Sequence, residues 1–329
     1  MKVFSFNSEL FKMTGIQKVL LDIHCAVKDR YDAKIVGTIP FDKVNKNLSI
    51  SRNDYIRLSN PFAFYNSIVF IHERRYLLLF KLINILLFQR IKLIYVHHSI
   101  LKGWKGLPIF PKYCVAISES GIENLTQYFN VPRTHIVKIY NCVSDLKPSE
   151  HKLPLQNNIR ILLPARINSI KRQLEIVEEL EGKIDKRIKI YFAGDGPLYN
   201  NLKEKIQESN QFFVLGFRSD IPILLQETDY VMLFSQHEGL PISLIEATMC
   251  GTPIICNNVG GNAEIAHDGK NAFIANDWDD LVLTLNRLLD VTDEQYKLMS
   301  KNSRAIYEQY FTFESFKTKY LNLLDKISK

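Results

Sequence analysis

The sequence predicts an α/β protein made of two domains, each a parallel sheet with helices on both faces. Three observations carry this. Short apolar runs alternate with helix-period segments through almost all of the 329 residues. Several of the runs are β-rich and apolar on both sides, as strands buried in a parallel sheet must be. A polar, aperiodic stretch with two prolines, Leu146 to Asn158 (LKPSEHKLPLQNN), separates two halves that each have their own strand–helix series.

The first half reads as strands at KVFSF (2–6), AKIVG (33–37), SIVFI (67–71), KLIYV (92–96) and YCVAI (113–117), with a helix over 16–29 after the first. The second half reads as strands at IRILLP (159–164), KIYFAG (189–194), FFVLG (212–216), YVMLF (230–234) and TPIIC (252–256). The domains are set at 1–148 and 149–329. A last helix, 314–327, has apolar positions Phe316, Tyr320, Leu321, Leu323 and Leu324 and is free to pack on either.

Composition narrows the function classes. The chain is 46% hydrophobic and 23% charged with a net charge of +7, an ordinary globular balance on the basic side. Nucleic acid, an anionic membrane or phosphorylated substrates are the usual partners of such a charge. Nucleic acid is set aside because the Lys and Arg are dispersed and no recognition motif occurs. Five cysteines without a C-x-x-C pair argue against a disulfide framework or a zinc site and for a reducing, cytoplasmic setting. The start, MKVFSFNSEL, has no signal-peptide pattern. Lys81, Asn84, Gln89, Arg90 and Lys92 interrupt the most apolar window, Tyr76 to Val96, so it does not span a membrane. It is expected to be a core helix and strand, or else a helix resting in a membrane interface with Lys81, Arg90 and Lys92 near headgroups.

The chemistry concentrates in Phe234 to Ile274 (FSQHEGLPISLIEATMCGTPIICNNVGGNAEIAHDGKNAFI). Gly239 and Pro241 fit a turn opening a helix, with Pro241 in the first helical turn. The amides of Ile242 and Ser243, with Leu240 leading into them, are then free to meet phosphate. Glu246 lies about one and a half turns in and leans back toward the same ligand, suiting the vicinal hydroxyls of a ribose. Glu238, before the helix, faces the sugar end. Arg166 and Lys171 follow a strand in LLPARINSIKR, and a fork and a point charge suit a diphosphate whose negative charge grows as it leaves.

Weaker signals add to these. AGDGPLYNNL places Gly194 and Gly196 in a turn opening a helix, without the third glycine of a dinucleotide fingerprint. LGFRSD, with Phe217, offers backbone groups to a nucleobase. Gly15, in FKMTGIQ, allows close approach of phosphate or acceptor. His97 and His98 end a strand, where one could hydrogen-bond a sugar. DWDD (277–280) precedes LVLTLNRLL and reads as a helix cap, so no metal site is expected.

In order and spacing these pieces resemble the retaining glycosyltransferases of family four, with the GT-B fold: two Rossmann-like parallel-sheet domains facing a central cleft. The carriers are ARINSIK, AGDGPL, LGFRSD, the E-x7-E of Glu238 and Glu246, and GTPIICNNVGGNAEI, with TGIQ, VHH, VAISESGIENL and VKIYNCVS in the first half. The resemblance implies diphosphate contacts from Arg166 and Lys171, sugar contacts from Glu238 and ribose contacts from Glu246. It also implies a cap from Gly239 to Ser243, and Gly15 with His97 or His98 from the other domain. Many relatives carry more glycines around Gly15 than the Thr14 and Ile16 found here.

The implied activity is retaining, metal-independent transfer of a hexose-type sugar from a UDP- or GDP-linked donor, with no further cofactor. The expected acceptor is a glycan or lipid-linked glycan of cell-surface polysaccharide or lipopolysaccharide synthesis, at the inner face of a bacterial membrane. Alternatives are a GT-B nucleotide-sugar epimerase and a non-catalytic nucleotide-sugar-binding protein.

Overall fold

The apolar runs form thirteen strands, and the segments between them form ten helices, among the residues described in a computed structural model: 1–103, 109–146 and 158–328. In chain order the first half gives β1 (Lys2–Phe6), α1 (Gly15–Val27), β2 (Asp32–Gly37), β3 (Tyr55–Arg57), β4 (Ser67–Ile71), α2 (Leu77–Leu86), β5 (Ile91–His97), β6 (Tyr113–Ala116), α3 (Glu119–Glu123) and β7 (Ile136–Lys138). The second gives β8 (Ile159–Pro164), α4 (Gln173–Leu180), β9 (Ile188–Ala193), α5 (Tyr199–Lys205), β10 (Phe212–Gly216), α6 (Ile221–Glu227), β11 (Tyr230–Leu233), α7 (Ile242–Cys250), β12 (Ile254–Cys256), β13 (Ala272–Ile274), α8 (Trp278–Arg287), α9 (Asp293–Tyr310) and α10 (Phe313–Ser328).

Contacts divide the chain into one unit of Met1–Cys142 with Phe313–Lys329 and another of Val143–Thr312. The division thus falls at Cys142/Val143, not 148/149, and recurs at Thr312/Phe313. Most of the expected linker, 147–157, lies outside the described residues. Helix α10 belongs to the first unit because its apolar stripe, Phe316, Tyr320, Leu323, Leu324 and Ile327, is buried beside α1. Asp325 holds Arg30 at 2.9 Å and Asp29 holds Lys317 at 3.0 Å.

The first unit is a seven-stranded, all-parallel sheet in the order β3-β2-β1-β4-β5-β6-β7. Its central strand β4 is buried at all five positions, the pattern of a strand covered on both faces. Helix α1 starts where it does because Thr14 caps it and Gln17 returns the bond in a capping box.

The second unit is a six-stranded, all-parallel sheet in the order β10-β9-β8-β11-β12-β13. Its core gathers Ile161, Leu163, Ile190 and Phe192 from the strands with Ile176, Val177, Leu202 and Leu285 from the helices. The sequence reading missed β3, β7 and β13. Each is three residues long at or next to a sheet edge, too short to show a period. Among the described residues no helix is long and apolar enough to cross a membrane.

Candidate functional site

In the second unit the chain builds outward from β8 through β9 and β10, then returns to β8's other side with β11 and continues to β13. The order reverses between β8 and β11, and in open parallel sheets ligands bind outside the carboxyl ends of the strands at such a reversal. The two loops that emerge there are those carrying Arg166 and Lys171, after β8, and Glu238, after β11. They are tied together: Gln236 donates its N–H to the Ile170 carbonyl at 2.8 Å, and Lys171 Nζ lies 2.5 Å from Glu238 Oε1.

The β8 loop is fixed from within. Buried Gln173 donates to the Arg166 carbonyl at 3.1 Å and accepts the Asn168 N–H at 3.3 Å, while Asn168 Oδ1 accepts the Lys171 N–H at 3.0 Å. Arg172 takes a left-handed backbone, φ 60, and its guanidinium lies 4.2 Å over the Trp278 ring with Nε 2.7 Å from Glu175. Arg172 is therefore anchored and Lys171 is paired. Arg166 is exposed, and its side chain makes no ion pair or hydrogen bond among the described residues.

Gly194 and Gly196 serve this loop. A Cβ on Gly194 would lie 2.0 Å from the Ala165 carbonyl oxygen, and one on Gly196 2.2 Å from that of Ile167. Their absence of side chains lets the β9 loop lace onto the β8 loop, with Ile167 N–H to Asp195 carbonyl at 3.0 Å. Backbone support of Arg166 accounts for both glycines. Phe217, 64% exposed, follows Gly216 (φ 70), whose carbonyl accepts the Gly194 N–H at 2.8 Å.

Glu238 is 8% exposed and is fixed from behind by the Gly-Gly turn. Gly260 has φ 56, and a Cβ there would lie 1.9 Å from the Glu238 carbonyl oxygen; Gly261 donates to the Gly239 carbonyl at 2.9 Å. Asn257 holds the same loop through both polar atoms, to Ser235 N–H at 3.1 Å and Ser235 carbonyl at 2.7 Å. Sequence reasoning noted the glycine turn without giving it this role and missed Asn257, Gln173 and Arg172, whose supporting contacts form only once the loops fold.

Helix α7 begins one residue later than predicted, with Pro241 as its N-cap. Leu240 and Pro241 are buried and pack. The only α7 residues not buried are Ile242, Ser243 and Glu246, which share one stripe at helical spacing. The amides of Ile242 and Ser243 receive no partner within the helix, as first-turn amides do not. Glu246 and these two amides thus lie on one face.

In the first unit the two histidines part ways. His97 is 1% exposed, with one ring nitrogen 3.0 Å from Asn124 Oδ1 and the other 3.2 Å from Tyr95 Oη. Both nitrogens are engaged inside the fold, which corrects the expectation that His97 could serve a ligand. His98 is partly exposed and stacks on His72, with Nε2 2.9 Å from His72 Nδ1. Burial pushes His97 down to about 4 and His98 well below the usual imidazole range, the latter helped by the neighbouring His72 and His97.

Gly15 is exposed as the first residue of α1, but Thr14 already takes the Ile16 N–H. This unit's own strand-order reversal lies between β1 and β4. The loops there join through Glu73, which accepts from Ser8 Oγ at 2.9 Å and pairs with Arg75 at 2.5 Å. No motif pointed to these residues. Asp277 caps α8 by accepting the Asp280 N–H at 2.9 Å, and no cluster of three or more metal-ligating side chains occurs among the described residues.

The comparisons with known proteins agree with this layout. The model of the family "Glycosyl transferases group 1" matches residues 149–306. The UDP-Gal:alpha-D-GlcNAc-diphosphoundecaprenol alpha-1,3-galactosyltransferase of Escherichia coli is 35% identical over 117 residues, 34% of this chain and 30% of that protein. The poly(ribitol-phosphate) alpha-N-acetylglucosaminyltransferase of Staphylococcus aureus (strain COL) is 29% identical over 218 residues, 64% of this chain and 41% of that protein. The chain thus spans less than half of either. The crystal structure of Anabaena HepE in complex with UDP and glucose superposes with a TM-score of 0.83 at 18% identity, covering 99% of this chain and 100% of that one. The fold is GT-B, and residues 149–306, just under half of the chain, are similar to the glycosyl transferases group 1 family.

Proposed function

We propose that this protein transfers a hexose-type sugar from a nucleotide diphosphate donor to a glycan or lipid-linked glycan in the synthesis of a bacterial surface polysaccharide. The observation that carries the proposal is the Lys171–Glu238 pair at the β8/β11 reversal, with unpaired Arg166 on the same loop as Lys171. A cation suited to phosphate and an acid suited to sugar hydroxyls meet at one point. The junction of the diphosphate with the sugar presents both chemistries at once.

Arg166 and Lys171 would take up the charge that builds on the diphosphate as the sugar departs. The free amides of Ile242 and Ser243 would add the field of a helix N-terminus. Glu246, on the same stripe, suits the ribose, and Phe217 the base. Acceptor recognition is assigned to the first unit, with His98 and Gly15 as its candidate groups. A neutral His98 would donate or accept a hydrogen bond without adding charge. We read the reaction as retaining, with attack on the face the diphosphate leaves and the diphosphate taking the proton, and as independent of metal. The UDP and glucose of the HepE complex and the UDP-Gal of the E. coli relative's name support a UDP-sugar as the first donor to try.

The test is incubation with labelled UDP-, GDP- and dTDP-sugars, with glycan and lipid-linked acceptors, in EDTA, followed by NMR of the new anomeric centre. Transfer with the donor's configuration kept supports the proposal. Isomerised donor without acceptor would make it an epimerase, and an inverted product would remove the retaining step.

A further inference from the structure

Helix α2 turns an apolar stripe outward. It buries Leu77 and Phe80, yet Leu78, Leu82, Ile85 and Leu86 are 47%, 57%, 58% and 56% exposed. These positions recur at helical spacing and form one face. Directly after the helix Phe88 is 84% exposed, and it and Gln89 both hold positive φ, 55 and 57. Bulky side chains rarely adopt that backbone, so the turn holds Phe88 in solvent against its local preference.

The charge around this stripe is one-sided. From Arg74 to Ser118 the chain has eight Lys and Arg and no Asp or Glu, leaving 34 basic and 35 acidic residues elsewhere. The whole net charge of +7 therefore originates in the segment that contains α2. Beside the helix is a cavity of about 340 Å³ lined by Lys81, Asn84, Gln89, Lys92, Lys112 and Tyr113. Lys92 is held by the Ile327 carbonyl, while Lys81 and Lys112 have no hydrogen bond or ion pair among the described residues. The cavity adjoins the amino end of β5; His97 is six residue steps away, about 20 Å along the strand. It is separate from the strand-end groups described above.

We propose that the α2 stripe, Phe88 and this lysine-lined cavity dock on an anionic phospholipid bilayer. The apolar face would enter the headgroup–acyl boundary and the lysines would receive phosphodiester headgroups. Apolar side chains alone would fit any hydrophobic partner. Their union with a sequence segment that carries basic residues and no acid, and with a cavity whose lining carries ammonium and amide groups but no carboxylate, selects anionic lipid. The inference does not rest on the donor chemistry and can fail or stand without it.

The test is co-sedimentation of the full chain with vesicles of phosphatidylcholine alone or mixed with phosphatidylglycerol. Binding to the mixed vesicles is expected to be at least about tenfold tighter and to weaken with salt. The triple variant Leu82→Ser/Ile85→Ser/Phe88→Ser and the double variant Lys81→Gln/Lys112→Gln should each lower it at least about tenfold. Both should keep the parent's unfolding midpoint within a few degrees, which separates lost docking from lost fold. Equal binding to neutral vesicles, or variants that bind like the parent, would overturn the proposal. So would displacement from vesicles by millimolar glycerol phosphate, which would mark a soluble-anion site. A dimer in gel filtration that the triple variant dissociates would give the face to a second copy instead.

Discussion

Lys171 and Glu238, 67 residues apart in sequence, meet at 2.5 Å where the two central loops of the second unit emerge. The Glu238 side chain is 7% exposed and that of Lys171 21%, so removing either leaves the other poorly solvated. Glu238→Leu and Lys171→Met should each cost about 1–3 kcal/mol of stability, and the double variant less than their sum. Urea unfolding of the four proteins measures this. Additive losses would mean the two charges are not coupled.

Glu246 shares its face of α7 with Ile242 and Ser243. Glu246→Ala should weaken donor binding by about tenfold or more, the cost of hydrogen bonds to a charged group, with little change in the unfolding midpoint. Near-normal turnover in this variant would refute its role.

Gly260 carries a prediction that joins packing to function. Its positive φ and the 1.9 Å approach of an added Cβ to the Glu238 carbonyl leave no room for a side chain. Gly260→Ala should destabilise by about 2–4 kcal/mol and impair donor binding by displacing Glu238. A stable variant with unimpaired binding would show that the glycine turn does not set the acid's position.

Asp229 is fully buried and accepts from the Arg160 N–H at 2.7 Å and from its guanidinium at 3.3 and 3.1 Å. Asp229→Ala strands the Arg160 donors between β8 and β11 and should cost about 3 kcal/mol, read as a lower midpoint in denaturant.

The first unit should be sensitive to mild acid. Burial holds His97 at about 4 and His72 at about 3, both below the usual 6.5. The unfolded chain then binds protons that the folded chain refuses. Stability is full above about pH 6.5 and falls as pH drops toward those folded values, by about 1.4 kcal/mol per pH unit per histidine. Unfolding free energies between pH 7.5 and about 4.5 should show this slope, and His97→Gln should make it shallower. An unchanged slope would mean that His97 is protonated in the native state.

Much of this was legible in the sequence because parallel sheets print long, doubly buried strands. β4 and β8 stand out as mainly apolar runs, with Arg160 the one charged residue within them. Arg166, Lys171, Glu238 and Glu246 stand out in the sequence as candidates because the first three follow such strands and Glu246 lies in the helix that comes next. The supporting shell was not legible: Gln173, Asn257 and Asp229 are ordinary polar residues until folding buries them, Gln173 against the loop just before it and the other two against segments farther off in the chain. The histidine pair was half legible. Two adjacent strand-end residues point to opposite sides, so one had to turn inward, but only packing against Asn124 shows that it is His97. Loop composition put the expected boundary at 148/149; contacts divide the chain at Cys142/Val143, and the packing of α10 beside α1 sets the second division at Thr312/Phe313.

The most direct measurement is calorimetric titration of the parent and of Arg166→Ala and Lys171→Ala with UDP-, GDP- and dTDP-sugars. The account predicts that one nucleotide sugar binds the parent and that each variant loses about tenfold or more in affinity. Binding at parental strength in both variants, or no nucleotide sugar bound at all, would contradict it.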